Sequence, residues 1–117
     1  MQIHLFDKEQ QTDLFRAGQI VFREGEHGDV MFAVLDGAVD IIIRGTVVET
    51  VEAGGVFGEM ALIEDRTRGA SAIVKSDAKL VRVDRQRFMF LVQQTPFFAL
   101  QLMNVMAGRL RRMDEKV

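Results

Sequence analysis

The sequence predicts an α+β domain: an antiparallel β-barrel of the jelly-roll kind over about residues 14–83, then two C-terminal helices over about 84–94 and 96–114. Three observations lead there. The 117 residues include ten glycines and one proline, and the glycines concentrate between Gly18 and Gly69. Short runs rich in Val, Ile and Phe lie between them. At Asp84 the apolar spacing changes from that of strands to that of helices. At this length the chain reads as a single domain, 1–117, large enough to bury one real core.

In order along the chain, Gln19-Ile20-Val21-Phe22 is the first clear strand. Val30 to Leu35 and Ala38 to Ile43 read as two strands joined at Asp36-Gly37, a pair suited to a two-residue hairpin because both turn positions need positive φ. Arg44-Gly45 separates Ile41-Ile42-Ile43 from Thr46-Val47-Val48 and predicts a second hairpin with less typical turn residues. Gly69 to Val74 and Lys79 to Val83 read as two further strands, with Lys75-Ser76-Asp77 joining them. Asp84 is suited to cap a helix running to about Gln94. Thr95-Pro96 starts the next, Thr as N-cap and Pro at the first helical position.

That last helix carries two apolar stripes. One is Phe98, Leu102 and Val105. The other, Ala99, Met103, Met106, Leu110 and Met113, follows a heptad spacing. A helix with two apolar faces must bury both. One suits the barrel, and the other suits the preceding helix or a second copy of the chain, so a homodimer through the C-terminal helix is expected.

Composition narrows function. The chain has 15 Lys and Arg against 17 Asp and Glu, a net charge of −2, where a nucleic-acid binder of this size would be basic. The basic cluster Arg109, Arg111, Arg112 reads as a solvated helix end favoured by the helix dipole. No cysteine is present, which excludes a disulfide, an iron–sulfur cluster and a thiolate zinc site. His4 and His27 read as surface residues, and no metal or catalytic group is expected. No apolar run approaches the roughly 18 residues of a membrane helix, and the first residues lack a signal-peptide pattern, so a cytoplasmic location is expected.

The informative stretch runs from Gly54 to Ser71. Gly54 and Gly55 permit an unusual backbone after the strand Thr46 to Val51. Phe57 is an apolar anchor, and Glu59-Met60-Ala61-Leu62 is short and helix-prone. Gly58 ahead of that turn leaves backbone N–H groups to face an anion. Arg68, ten positions later, can fold back to give the same anion a guanidinium fork. Glu59 adds a carboxylate that a phosphate alone would repel, so it implies a sugar hydroxyl beside the anion.

Phe57-Gly58-Glu59-Met60-Ala61-Leu62 followed by Arg68-Gly69-Ala70-Ser71 closely resembles the phosphate-binding cassette of the cyclic-nucleotide-binding domain family, which includes catabolite-activator-type transcription factors, regulatory subunits of cyclic-AMP-dependent kinase and cyclic-nucleotide-gated channels. Arg23-Glu24-Gly25-Glu26-His27-Gly28-Asp29, Val30-Met31-Phe32, Leu35-Asp36-Gly37 and Gly54-Gly55-Val56-Phe57 match in order and spacing, so the resemblance covers about residues 14 to 113. It implies that Arg68 pairs with the exocyclic phosphate oxygens and that Glu59 accepts from the ribose 2′-hydroxyl. It also implies that amides near Ala61 and Gly69 cradle the phosphate, and that Ala70 and Ser71 begin a pocket-lining strand. Two positions depart from the family's habit. Thr67 stands where proline is frequent, and Gly69 where Ser, Thr or Ala is frequent. A hydroxyl at the second is associated in the family with cyclic GMP, so its absence implies either a preference for cyclic AMP or poor discrimination between the two.

The function implied is a non-catalytic sensor of cyclic AMP, with cyclic GMP as the other ligand, signalling through its C-terminal helix to a downstream protein. The alternative is a domain of this family that binds no nucleotide and serves in dimerisation or docking.

Overall fold

The structure, a computed structural model, describes residues 2–64 and 67–115, the last three by backbone alone. Six strands and three helices follow in the order β1 (Asp13–Phe15), β2 (Ile20–Phe22), β3 (Val30–Ile43), β4 (Thr46–Glu52), β5 (Val56–Phe57), α1 (Met60–Glu64), β6 (Ser71–Asp84), α2 (Arg85–Gln94) and α3 (Pro96–Glu115). All pairings are antiparallel, in the order β1-β6-β3-β4, with β2 also on β6 and β5 on β3. The path ends at β1 and β4, so the expected closed jelly-roll barrel is instead an open six-stranded sheet followed by helices. Two 14-residue strands, β3 and β6, form its spine and wrap it round a core without a closing pair.

Those long strands correct two turn expectations. Asp36-Gly37 makes no hairpin: β3 runs straight through it, and the β3–β6 register shifts on both sides. Gly37 has φ of 82°, and a Cβ there would sit 2.7 Å from the Cα of Ala78. An Asp-Gly pair therefore serves here as a bulge pressed against the neighbouring strand. Lys75-Ser76-Asp77 likewise lies within β6, opposite the same irregularity. Arg44-Gly45 does turn the chain. Its φ values of 51° and 79° are the left-handed pair that a tight hairpin demands.

The sheet separates two apolar clusters. On its concave side Phe22, Phe32, Val34, Val39, Val51, Phe57, Ala72, Val74, Ala78 and Leu80 pack together. On the other side Met31, Ala33, Val56, Leu62, Val81 and Val83 meet Phe98 and Leu102 of α3. Ile3 and Phe6 complete that second cluster, Phe6 meeting Phe98 edge-on at 6.0 Å between ring centres.

Asp84 caps α2 as expected, its side chain accepting from the Arg87 amide at 2.8 Å. Thr95 then separates the helices, its N–H donating to Leu91 O and its carbonyl accepting from the Phe98 amide. The Phe98, Leu102, Val105 stripe of α3 is the face laid on the sheet. On the heptad stripe Met106 also packs against that cluster, whereas Met103 and Leu110 are exposed; the Met113 side chain lies outside the described residues. No helix among the described residues is long and apolar enough to cross a membrane.

Candidate functional site

A cavity of about 340 Å³ opens between the β3–β4 hairpin, the segment from Phe57 to Ala70 and the C-terminal half of α3. Of the residues expected at a site, Phe57, Gly58, Glu59, Met60, Ala61, Arg68, Gly69 and Ala70 line it. Leu62 and Ser71 do not. Leu62 turns into the cluster beneath α3, and the Ser71 hydroxyl accepts the Glu24 amide at 2.9 Å. Asp65 and Arg66 of the same stretch lie outside the described residues.

The floor is aromatic. Phe57 and Phe32 stack at 5.3 Å between ring centres, and Phe22 joins them at 5.9 Å from Phe57. The Arg68 guanidinium lies over the Phe22 ring, 4.1 Å from its centre, a cation–π arrangement. Its terminal nitrogens donate to Gly58 O at 2.9 Å and Val30 O at 2.6 Å. Among the described residues, Arg68 Nε is buried with no partner. A buried donor without an acceptor costs about 1–3 kcal/mol. Burial also pushes the guanidinium below its ordinary pKa, against the pull of Asp29, Glu26 and Glu59.

Two glycines make room for that side chain. A Cβ on Gly28 would overlap Arg68 and come within 2.8 Å of Ala61 Cβ; one on Gly58, at φ of 80°, would come within 2.8 Å of an Arg68 terminal nitrogen. Gly58 then turns the chain into α1, where the amides of Leu62 and Ile63 both donate to Glu59 O, at 3.0 and 3.1 Å.

Glu59 is 3% exposed, a buried carboxylate. Its partner comes from α3: Arg109 donates to Glu59 at 2.5 Å, to both oxygens of Glu49 at 2.8 and 3.1 Å, and to Val56 O at 2.5 Å. Although burial works to lower it, hydrogen bonds and charge from Glu49 and Glu59 raise the Arg109 pKa above its usual value. Arg112 adds a longer contact to Glu49, 3.4 Å. The expectation that Arg109 is part of a solvated helix end is therefore wrong, because its partners lie 50 and 60 positions away in sequence. Arg109 and Glu49 were invisible to any reading of local spacing.

Three guanidiniums (Arg68, Arg109, Arg112) and two carboxylates (Glu49, Glu59) line the cavity, leaving one net positive charge among the described lining residues. Ile41, Ile43 and Val48 supply apolar lining. The cavity thus brings together a buried guanidinium at a glycine-shaped turn, a buried carboxylate and apolar lining, the mixed lining of a small-molecule site.

The class so defined is a ligand-binding regulatory domain. The chain belongs to the cyclic nucleotide-binding domain family, which matches residues 13–95. Over 79 residues, 68% of this chain and 10% of the relative, it is 38% identical to a cGMP-dependent protein kinase of Caenorhabditis elegans. It is also 37% identical over 79 residues to the cAMP-dependent protein kinase regulatory subunit of Schizosaccharomyces pombe, covering 67% of this chain and 19% of that one. The catabolite activator protein of Thermus thermophilus superposes with a TM-score of 0.81 at 29% identity, covering 91% of this chain and 52% of that one. The chain thus spans about half or less of these relatives' length.

Proposed function

We propose that the domain is a non-catalytic sensor that binds cyclic AMP in this cavity and reports occupancy through α3. The observation carrying the reading is Arg68 Nε, buried without a partner at the glycine-shaped end of the cavity. A cyclic phosphodiester carries one negative charge, which matches the one net positive charge of the lining. The Arg68 fork serves the exocyclic oxygens, and amides at Ala61 and Gly69 complete the cradle. Glu59 Oε1 is taken by Arg109, which leaves Oε2 to accept a ribose 2′-hydroxyl. Phe57, Gly58, Met60 and Ala70 shape the walls, and Leu62 and Ser71 hold the cassette from behind.

The link to α3 is Arg109. A ligand bonded to Glu59 acts on the same carboxylate that anchors the helix, so the position of α3 and the occupancy of the cavity bias each other. Gly69 offers no side-chain hydroxyl beside Arg68, which fits cyclic AMP. A homodimer through α3 belongs to the same reading: Phe97, Leu100, Met103 and Leu110 are each more than half exposed along the helix. The downstream target is a protein that reads this helix.

Calorimetric titration with cyclic AMP and cyclic GMP, on the wild type and on Arg68→Ala, tests the reading. Loss of a charge-assisted hydrogen bond should weaken binding about ten- to hundredfold. Unchanged binding in a folded Arg68→Ala variant, or no binding by the wild type, overturns it.

A further inference from the structure

We infer that Phe22 is a positioning residue for the ligand's anion: its ring face holds the Arg68 guanidinium in the cavity and takes none of its N–H groups, which stay free for a phosphate. The inference rests on the cyclic-nucleotide reading above. A buried guanidinium needs something to offset its lost hydration. A carboxylate would do this, but it would occupy the same paired N–H groups that a phosphate takes. Among the described residues Arg68 has no such partner. Its hydrogen bonds go to two carbonyls, Gly58 O and Val30 O. Asp29, Glu26 and Glu59 attract it only through space. What lies against the guanidinium is the Phe22 ring, with Cζ 4.1 Å from the ring centre. An aromatic face carries negative partial charge, and it stabilises a cation most where water is excluded. Arg68 is 7% exposed and Phe22 8%, so this contact is dry. An arginine has five N–H groups, and the two carbonyls take two of them. The rest, Nε among them, remain for the ligand.

The backbone fixes ring and guanidinium to one another. β2 carries Phe22 and runs into the turn whose Gly25 amide donates to Arg68 O at 2.8 Å. In the same turn Glu26 O accepts the Arg68 amide at 2.7 Å. Phe22 also pairs with Ala72 of β6, just beyond Arg68 in sequence. The ring is held in turn by Phe57 and Phe32, with centres 5.9 and 6.1 Å away. Gly58 leaves room for both partners: a Cβ there would stand 3.4 Å from Phe22 Cε2 and 2.8 Å from Arg68 Nη1. A leucine at 22 would fill much of the same space, but it has no ring face to offset the buried charge.

That difference is what the test reads. Fluorine on the ring drains charge from its face with little change of shape, so mono-, di- and trifluorinated phenylalanine at position 22 grade the interaction. In calorimetry with cyclic AMP, affinity should fall stepwise along the series, by about three- to thirtyfold at the trifluorinated end. Phe22→Leu should fall at the weak end of the same range. Trifluorinated phenylalanine in place of Phe15, which packs on the same apolar cluster, should leave affinity unchanged. Equal affinity along the series overturns the inference and leaves the sensor reading standing. So does a loss seen with Phe22→Leu alone, since the ring then only fills space, or an equal loss at Phe15. A wild type that does not bind cyclic AMP overturns the sensor reading itself.

Discussion

Replacing Arg109 by Met should cost the domain much of its stability, and a second substitution should return part of it. Met keeps the apolar stem and removes the guanidinium. Glu59, 3% exposed, then loses its Arg109 partner, and Glu49 loses its two-pronged contact. Breaking a buried pair by removing one partner costs about 3–5 kcal/mol, because the remaining charge stays buried. A domain of this size holds only about 5–15 kcal/mol in total, so the variant should stay folded with little to spare. At about 4 °C per kcal/mol, the midpoint of thermal unfolding should fall by about 12–20 °C. Adding Glu59→Gln replaces the stranded carboxylate with a neutral amide and should recover at least about 1–2 kcal/mol, a coupling that a double-mutant cycle isolates. The chain has no Trp or Tyr, so far-UV circular dichroism during urea and thermal unfolding is the suitable signal. If Arg109→Met lies within about 1 kcal/mol of the wild type, or if the loss is the same in the Glu59→Gln background, Arg109 does not hold the cassette.

Three further outcomes are expected. Glu59→Gln should weaken cyclic AMP more than 2′-deoxy cyclic AMP in calorimetry, since an amide accepts less strongly than a carboxylate; equal losses would remove Glu59 from the ribose. Gly28→Ala should destabilise by about 1–3 kcal/mol by circular dichroism and weaken cyclic AMP binding, because its Cβ would displace Arg68; retention of both would mean that Arg68 can sit elsewhere. Met103→Glu should lower the mass seen by light scattering and leave the fold intact, and a wild type that is monomeric at high concentration with and without cyclic AMP would refute the dimer.

How far the sequence could be read followed the range of the interactions involved. The Asp84 cap, the Thr95-Pro96 break and the Arg44-Gly45 turn were legible because each is decided within a few residues. Of the ten residues that the resemblance singled out, eight line one cavity. Asp36-Gly37 misled because the dipeptide suits any left-handed position, and only the approach of Ala78 reveals a bulge. Closure of the barrel could not be read, since it depends on whether the edge strands β1 and β4 meet. Arg109 and Glu49 escaped because nothing local marks a pair 60 residues apart.

The bulge at Gly37 also sets the phase of the cavity wall. Before it, the even-numbered Phe32 and Val34 point to the concave side of β3 and the odd-numbered Met31 and Ala33 point to the helices. After it, the odd-numbered Val39 and Ile41 point to the concave side. Strand side chains alternate strictly, so an odd interval between Val34 and Val39 requires one residue to drop out of step. A residue at 37 that kept the regular pleat would invert everything downstream. Asp40 and Ile42 would turn inward, and Ile41 and Ile43 would leave the slot. Which side chains wall this cavity is thus decided at a glycine that does not itself line it.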